Sequence, residues 1–278
     1  MKALKKLERK KMSFFTTNDL VNINFHDYGS SMNPPIILIG GYSSSEVTWF
    51  AQIEAFVNAG YRVITYDHRS HGDSQKVDYG LTLHRLAMDL KELIDHLQLK
   101  NVILIGHSMG AATIMAYEEL FTDENVRAVI TEDQAPTFFK SADWLNGQYG
   151  KTLTELSSFI DDFPKTRLTQ KKLSDTVKRT LGHGMTPFDF KRFRPLLQNV
   201  ILQDWRAQLT QEQKPHLFFS GGQSPIFPAI HAQAARELQK NPDSEFQIFE
   251  GCGHILHLEE IEKFNQAVID FLYKIQKD

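Results

Sequence analysis

Residues 101–119 constrain the fold more than any other stretch of this chain. Residues 102–105 form an uninterrupted apolar run, the pattern of a strand covered on both faces, and residues 111–117 are good helix formers. Between them stands Gly106-His107-Ser108-Met109-Gly110. A serine on so sharp a strand-to-helix turn needs neighbours without side chains two positions away on each side, because a Cβ there would collide with the turn. Gly106 and Gly110 meet that need. The turn lifts the Ser108 hydroxyl to the carboxyl edge of the sheet, at the positive end of the next helix, where developing negative charge is stabilised.

The rest of the chain repeats this strand-then-helix rhythm. Residues 14–26 alternate loosely, as in an edge hairpin, and residues 36–39 form a second buried strand that ends in Gly40-Gly41-Tyr42. A helix over 52–59 leads to a strand over 61–66, then to the loop Asp67-His68-Arg69-Ser70-His71-Gly72-Asp73-Ser74. An amphipathic helix over 83–97, with Leu86, Leu90, Leu93 and Ile94 on one side, delivers the chain to the Ser108 strand. Three consecutive units of this kind predict an α/β fold: a mostly parallel sheet with helices on both faces and its active site at the carboxyl ends of the strands.

Set between a buried strand and a helix, the Ser108 pentapeptide resembles the nucleophile elbow of the α/β-hydrolase superfamily. The resemblance runs from the strand at residue 36 to the C-terminus. It implies that the Tyr42 and Met109 amides form an oxyanion hole, with Gly41 and His107 beside the substrate. It also implies that Asp67 and Arg69 pin their loop through charge-assisted hydrogen bonds. Ser70 departs from the glycine common in relatives, and Gly40-Gly41 replaces their His-Gly.

The triad acid of most relatives follows the strand at residues 216–219, but here that position is Ser224, which cannot hold a negative charge beside an imidazolium. Asp133, at the end of the strand over 126–131, is the substitute, as in a subgroup of esterases and thioesterases with a relocated acid. Glu132 and Asp204 are lesser candidates, Glu132 because it points to the opposite side of the strand. The same resemblance places the catalytic histidine directly after a glycine and so implies that His254, after Gly253 at the start of the terminal helix, is the base; His257 reads as a packing or hydrogen-bonding residue. The order Ser108, Asp133, His254 is the one this fold uses.

Residues 137–214 shift toward helix formers and aromatics and read as a helical cap inserted between core segments 1–136 and 215–278. Helices are expected near 141–148, 153–162, 170–181 and from Pro187 onward. Most of the aromatics pack cap against core, while Phe138 and Trp144 are expected to line the substrate site.

Net charge of -3, from 31 basic and 34 acidic side chains mixed along the sequence, suggests neither nucleic acid nor an anionic membrane as partner. A single cysteine, Cys252, excludes an internal disulfide and suits a reducing, cytoplasmic setting. The basic residues 1–12 lack the apolar segment of a secretory signal and read as a solvated helix or tail, and no apolar run is long enough to span a membrane. His68, His71 and Asp73 lack a further ligand at a fitting spacing, so no metal is expected.

The expected activity is a serine hydrolase acting on carboxylic esters or thioesters with a small to medium apolar acyl group, as monomer or homodimer and without cofactor. Two alternatives stand beside it: cofactor-free haloperoxidase or perhydrolase chemistry at the same residues, and a non-catalytic ligand-binding signalling protein. Dehalogenase or epoxide hydrolase chemistry would need a carboxylate where Ser108 stands.

Overall fold

The apolar runs become the middle of an eight-stranded sheet because alternate residues of each strand are buried on opposite faces. Ile37, Ile39, Leu104 and Val129 enter one core, and Ile36, Leu38, Ile103, Ile105 and Ile130 the other. The computed structural model describes residues 13–148 and 152–276; the basic residues 1–12 lie outside them. The strands are β1 Ser13–Thr16, β2 Asn22–Tyr28, β3 Pro35–Ile39, β4 Arg62–Tyr66, β5 Val102–His107, β6 Val126–Glu132, β7 His216–Gly221 and β8 Glu245–Phe249. They lie in the order β1-β2-β4-β3-β5-β6-β7-β8, parallel from β4 to β8, with the β1–β2 hairpin antiparallel at one edge.

Helices cover both faces. They are α1 Phe50–Asn58, α2 Leu83–His96, α3 Met109–Phe121, α4 Leu153–Asp162, α5 Asp175–Gly184, α6 Arg194–Ile201, α7 Arg206–Leu209, α8 His231–Leu238, α9 Leu256–Glu259 and α10 Ile261–Lys274. The apolar stripe of α2 (Leu83, Leu86, Leu90 and Leu93) packs with α3 over one face, and α1 and α10 share the other.

Helices α4 to α7 occupy the insertion between β6 and β7, whose ends meet: Thr137 bridges Asp204, and Trp205 N–H donates to Pro136 O at 2.8 Å. Three of its expected helices differ from the structure. Residues 141–148 form turns closed by a Ser141–Trp144 bridge, since Ser141 Oγ donates to Asp143 Oδ1 at 2.5 Å and competes with the helical ladder. The helix expected from 170 starts at Asp175, where the Ser174 hydroxyl caps Val177 N–H, and residues 166–174 run as an irregular strap. The last expected helix starts at Arg194, because Pro195 suits only its first turn.

Candidate active site

The strand β5 ends at His107 and α3 begins at Met109, so the whole reversal falls on Ser108, at φ 52° and ψ −120°. A non-glycine residue at positive φ costs about 1–3 kcal/mol, and the two flanking glycines show what holds it there. A Cβ on Gly106 would come within 2.6 Å of Ala111 N, inside the turn. One on Gly110 would lie 2.3 Å from Ile39 O, so this glycine is required by the neighbouring strand β3 rather than by the turn. Ser108 is half-buried while His107 and Met109 are buried. As first residue of α3, Met109 has an N–H with no intrahelical partner. Gly41 lies against the same spot, since a Cβ on it would meet His107 Nδ1 at 2.9 Å and Ser108 Cβ at 3.2 Å.

On the adjacent strand, Asp133 follows β6 at φ 47°, its N–H donating to Phe219 O at 2.9 Å. His254 Nδ1 meets Asp133 Oδ2 at 2.5 Å. Ser224 Oγ donates to the same oxygen at 2.5 Å, and Gly221 N–H donates to Oδ1 at 2.9 Å. His231 Nε2 reaches Oδ1 at 3.4 Å. Burial pushes this carboxyl up, but the hydrogen bonds and charge interactions from His231 and His254 outweigh it and hold the group well below the ordinary carboxylate range. A carboxylate can only accept, so Nδ1 of His254 carries a proton, which in the neutral imidazole leaves the lone pair on Nε2, the tautomer a general base requires.

Glu132 points to the other side of β6 and makes a second carboxylate–imidazole pair. It accepts from His257 Nδ1 at 2.7 Å and from His257 N–H at 3.0 Å. Trp49 stacks on that imidazole with centroids 4.0 Å apart. Asp204 is engaged by Arg206 at 2.7 Å. Of the three acids weighed from sequence, Asp133 is the one joined to His254. His107 Nε2 bonds His254 O at 2.9 Å, and burial pushes the His107 imidazole down to about 3, so it is neutral and donates there.

The supporting loop is built as the sequence suggested. Asp67 accepts from Glu46 N–H, Asn24 Nδ2 and Asp73 N–H, and the buried Arg69 pairs with Asp89 at 2.7 Å and Asp19 at 2.8 Å. Ser70 takes positive φ, 66°, at the position where the family resemblance implies a glycine. The Tyr42 ring points into the insertion, edge-on to Phe188 with centroids 4.9 Å apart. A cavity of ≈ 400 Å³ opens beside it, lined by Ile160, Pro164, Phe190 and Leu197 together with the charged Asp161, Lys191 and Arg194. Phe138 is buried against Phe227 and Phe159, and Trp144 is buried beneath the Arg206 guanidinium.

Three contributors escaped the sequence reading. His231 follows no motif and reaches Asp133 only because α8 starts under the β7 loop. Glu132 was weighed as an acid for His254 but not as the partner of His257. Glu259, five residues past His254, could have been suspected as an acid in the first turn of α9.

This fold and this elbow define an α/β hydrolase, and the chain belongs to that family: the family described as alpha/beta hydrolase fold matches residues 34–261. Among its relatives, non-heme chloroperoxidase CPO-A1 of Kitasatospora aureofaciens is 28% identical over 95% of this chain and 100% of its own. The bifunctional esterase/perhydrolase DCH of Acinetobacter calcoaceticus is 24% identical over 94% of this chain and 99% of its own. Among solved structures, an esterase of Exiguobacterium antarcticum superposes with a TM-score of 0.83 at 23% identity, covering 95% of this chain and 100% of that one. The chain is therefore a hydrolase-family enzyme. None of the helices among the described residues is long and apolar enough to cross a membrane.

Proposed function

We propose that the protein is a serine hydrolase that cleaves carboxylic esters or thioesters of small to medium apolar acyl groups through an acyl-enzyme. The observation that carries this reading is the 2.5 Å contact between His254 Nδ1 and Asp133 Oδ2, made at the end of the strand next to the one that delivers Ser108 to its strained elbow. His254 Nε2 takes the Ser108 proton as the hydroxyl attacks the substrate carbonyl. Asp133 keeps the imidazole in the right tautomer and stabilises its cationic form. The Tyr42 and Met109 amides receive the oxyanion, each worth about 3 kcal/mol in sites of this kind. His254 returns the proton to the departing alkoxide or thiolate, and water repeats the cycle on the acyl-enzyme.

Residues 137–214 act as the cap, and the apolar wall of the cavity beside Tyr42, formed by Ile160, Pro164, Phe190 and Leu197, suits the acyl chain. The relatives named for peroxidase and perhydrolase activity support a second use of the same residues, in which hydrogen peroxide replaces water and the acyl group leaves as a peracid. Labelling with a fluorophosphonate tests the reading. The wild-type protein reacts and Ser108→Ala does not; a wild-type protein inert to the reagent defeats it. Hydrolysis of p-nitrophenyl esters of increasing acyl length, with and without peroxide, then ranks the substrates.

A further inference from the structure

The strap at residues 166–174 has no helix or strand of its own, yet its backbone groups are committed to the loop that carries His254. Gln170 N–H and Lys171 N–H donate to Glu259 Oε2 at 2.8 and 2.7 Å. Gly253 N–H donates to the same carboxylate at 3.0 Å from the opposite side. Leu168 O accepts from His254 N–H at 2.7 Å, and Lys171 Nζ pairs with Glu260. No space separates the two segments, for a Cβ on Gly253 would lie 2.4 Å from Leu168 O and 2.9 Å from Gln170 N.

We propose that Glu259 is a positioning residue, a clamp that joins the strap of the insertion to the His254 loop so that the two move as one body. The proposal rests on the reading of His254 as the base. The strap and the loop are distant in sequence, and each alone would present backbone N–H groups with no partner. One carboxylate gathers three of them, and the fourth link is the backbone N–H of His254 itself. Releasing the strap therefore frees the main chain of the residue whose side chain must stay within 2.5 Å of Asp133. Small misplacements of a reacting group are expensive in rate, so the clamp acts on turnover more than on substrate binding.

The test uses the full chain with Glu259→Gln, which removes the charge, Glu259→Asp, which keeps it at shorter reach, and Gly253→Ala, which keeps the carboxylate but wedges the strap away, its Cβ falling 2.4 Å from Leu168 O and 3.0 Å from Glu259 Oε1. Hydrogen exchange by mass spectrometry is expected to show peptides covering 168–171 and 252–255 exchanging faster together in Glu259→Gln. With a short p-nitrophenyl ester, kcat falls by about 10- to 100-fold while KM stays unchanged; Gly253→Ala does the same and Glu259→Asp recovers part of the loss. Accelerated exchange in only one of the two segments overturns the clamp, and so does an unchanged kcat once both are released. A wild-type protein that does not react with a fluorophosphonate defeats the hydrolase reading instead, and the exchange measurement still decides whether the strap and the loop are joined.

Discussion

Ser224 Oγ donates to Asp133 Oδ2 at 2.5 Å, the same oxygen that receives His254 Nδ1. The serine at the position where the family resemblance implies the acid is thus a partner of the carboxylate that meets His254. Asp133→Asn is expected to lower ester turnover by about 10⁴-fold, because an amide can offer His254 the wrong group and hold the wrong tautomer. Adding Ser224→Asp to that variant should recover part of the loss, since position 224 already reaches the same oxygen. Near-normal turnover in Asp133→Asn would move the acid's role elsewhere.

His231→Phe removes one donor from Asp133 Oδ1 while roughly filling its volume. Asp133 has a depressed folded-state value, so its ionisation stabilises the fold above the usual carboxylate range and is lost as pH falls. With His231 gone the folded-state value rises, and acid unfolding should begin at higher pH than in the wild type. Fluorescence-monitored acid titration of both proteins decides the matter; superimposable curves would mean that the 3.4 Å contact contributes nothing.

On α3, burial and the nearby Glu212 and Asp123 carboxylates push Glu118 up, and burial pushes Glu212 up to about 8. The folded state therefore binds more protons than the unfolded chain above the ordinary glutamate value. Stability should decline as pH rises from about 4.5 to about 8, the reverse of the Asp133 contribution. Glu118→Gln should flatten that decline and raise the melting temperature at pH 8 by roughly 2–4 °C for each kcal/mol gained. Differential scanning calorimetry across this range is the measurement.

Ser108→Gly should be inactive and more stable than the wild type. It relieves about 1–3 kcal/mol of backbone strain against roughly 0.5–1 kcal/mol of added chain entropy, for a net gain near 1 kcal/mol by urea unfolding. Ser108→Ala keeps the strain and should show no such gain.

The sheet, the elbow and the histidine were legible because each is local: an apolar run, a Gly-x-Ser-x-Gly turn, a glycine before the base. Asp133 was legible through a paired departure, a serine at 224 and an acid after β6. Contacts between distant segments left no such trace. His231 reaches Asp133 through the placement of α8, and Glu259 meets the strap through tertiary packing alone. The helix expected at 141–148 failed because a Ser141–Asp143 hydrogen bond outcompeted propensity, and the one expected from 170 because backbone N–H groups found Glu259 instead of a helical ladder.

Ser108 and Asp133 follow directly on β5 and β6, neighbouring strands that are also consecutive along the chain, with Ser108 N–H already bonded to Glu132 O at 2.9 Å. A ribosome would deliver both well before the imidazole, which arrives only with the segment after β8. On the proposed assignment the emerging polypeptide carries an inert hydroxyl until the segment after β8 docks, and hydrolytic competence waits for His254 to meet Asp133.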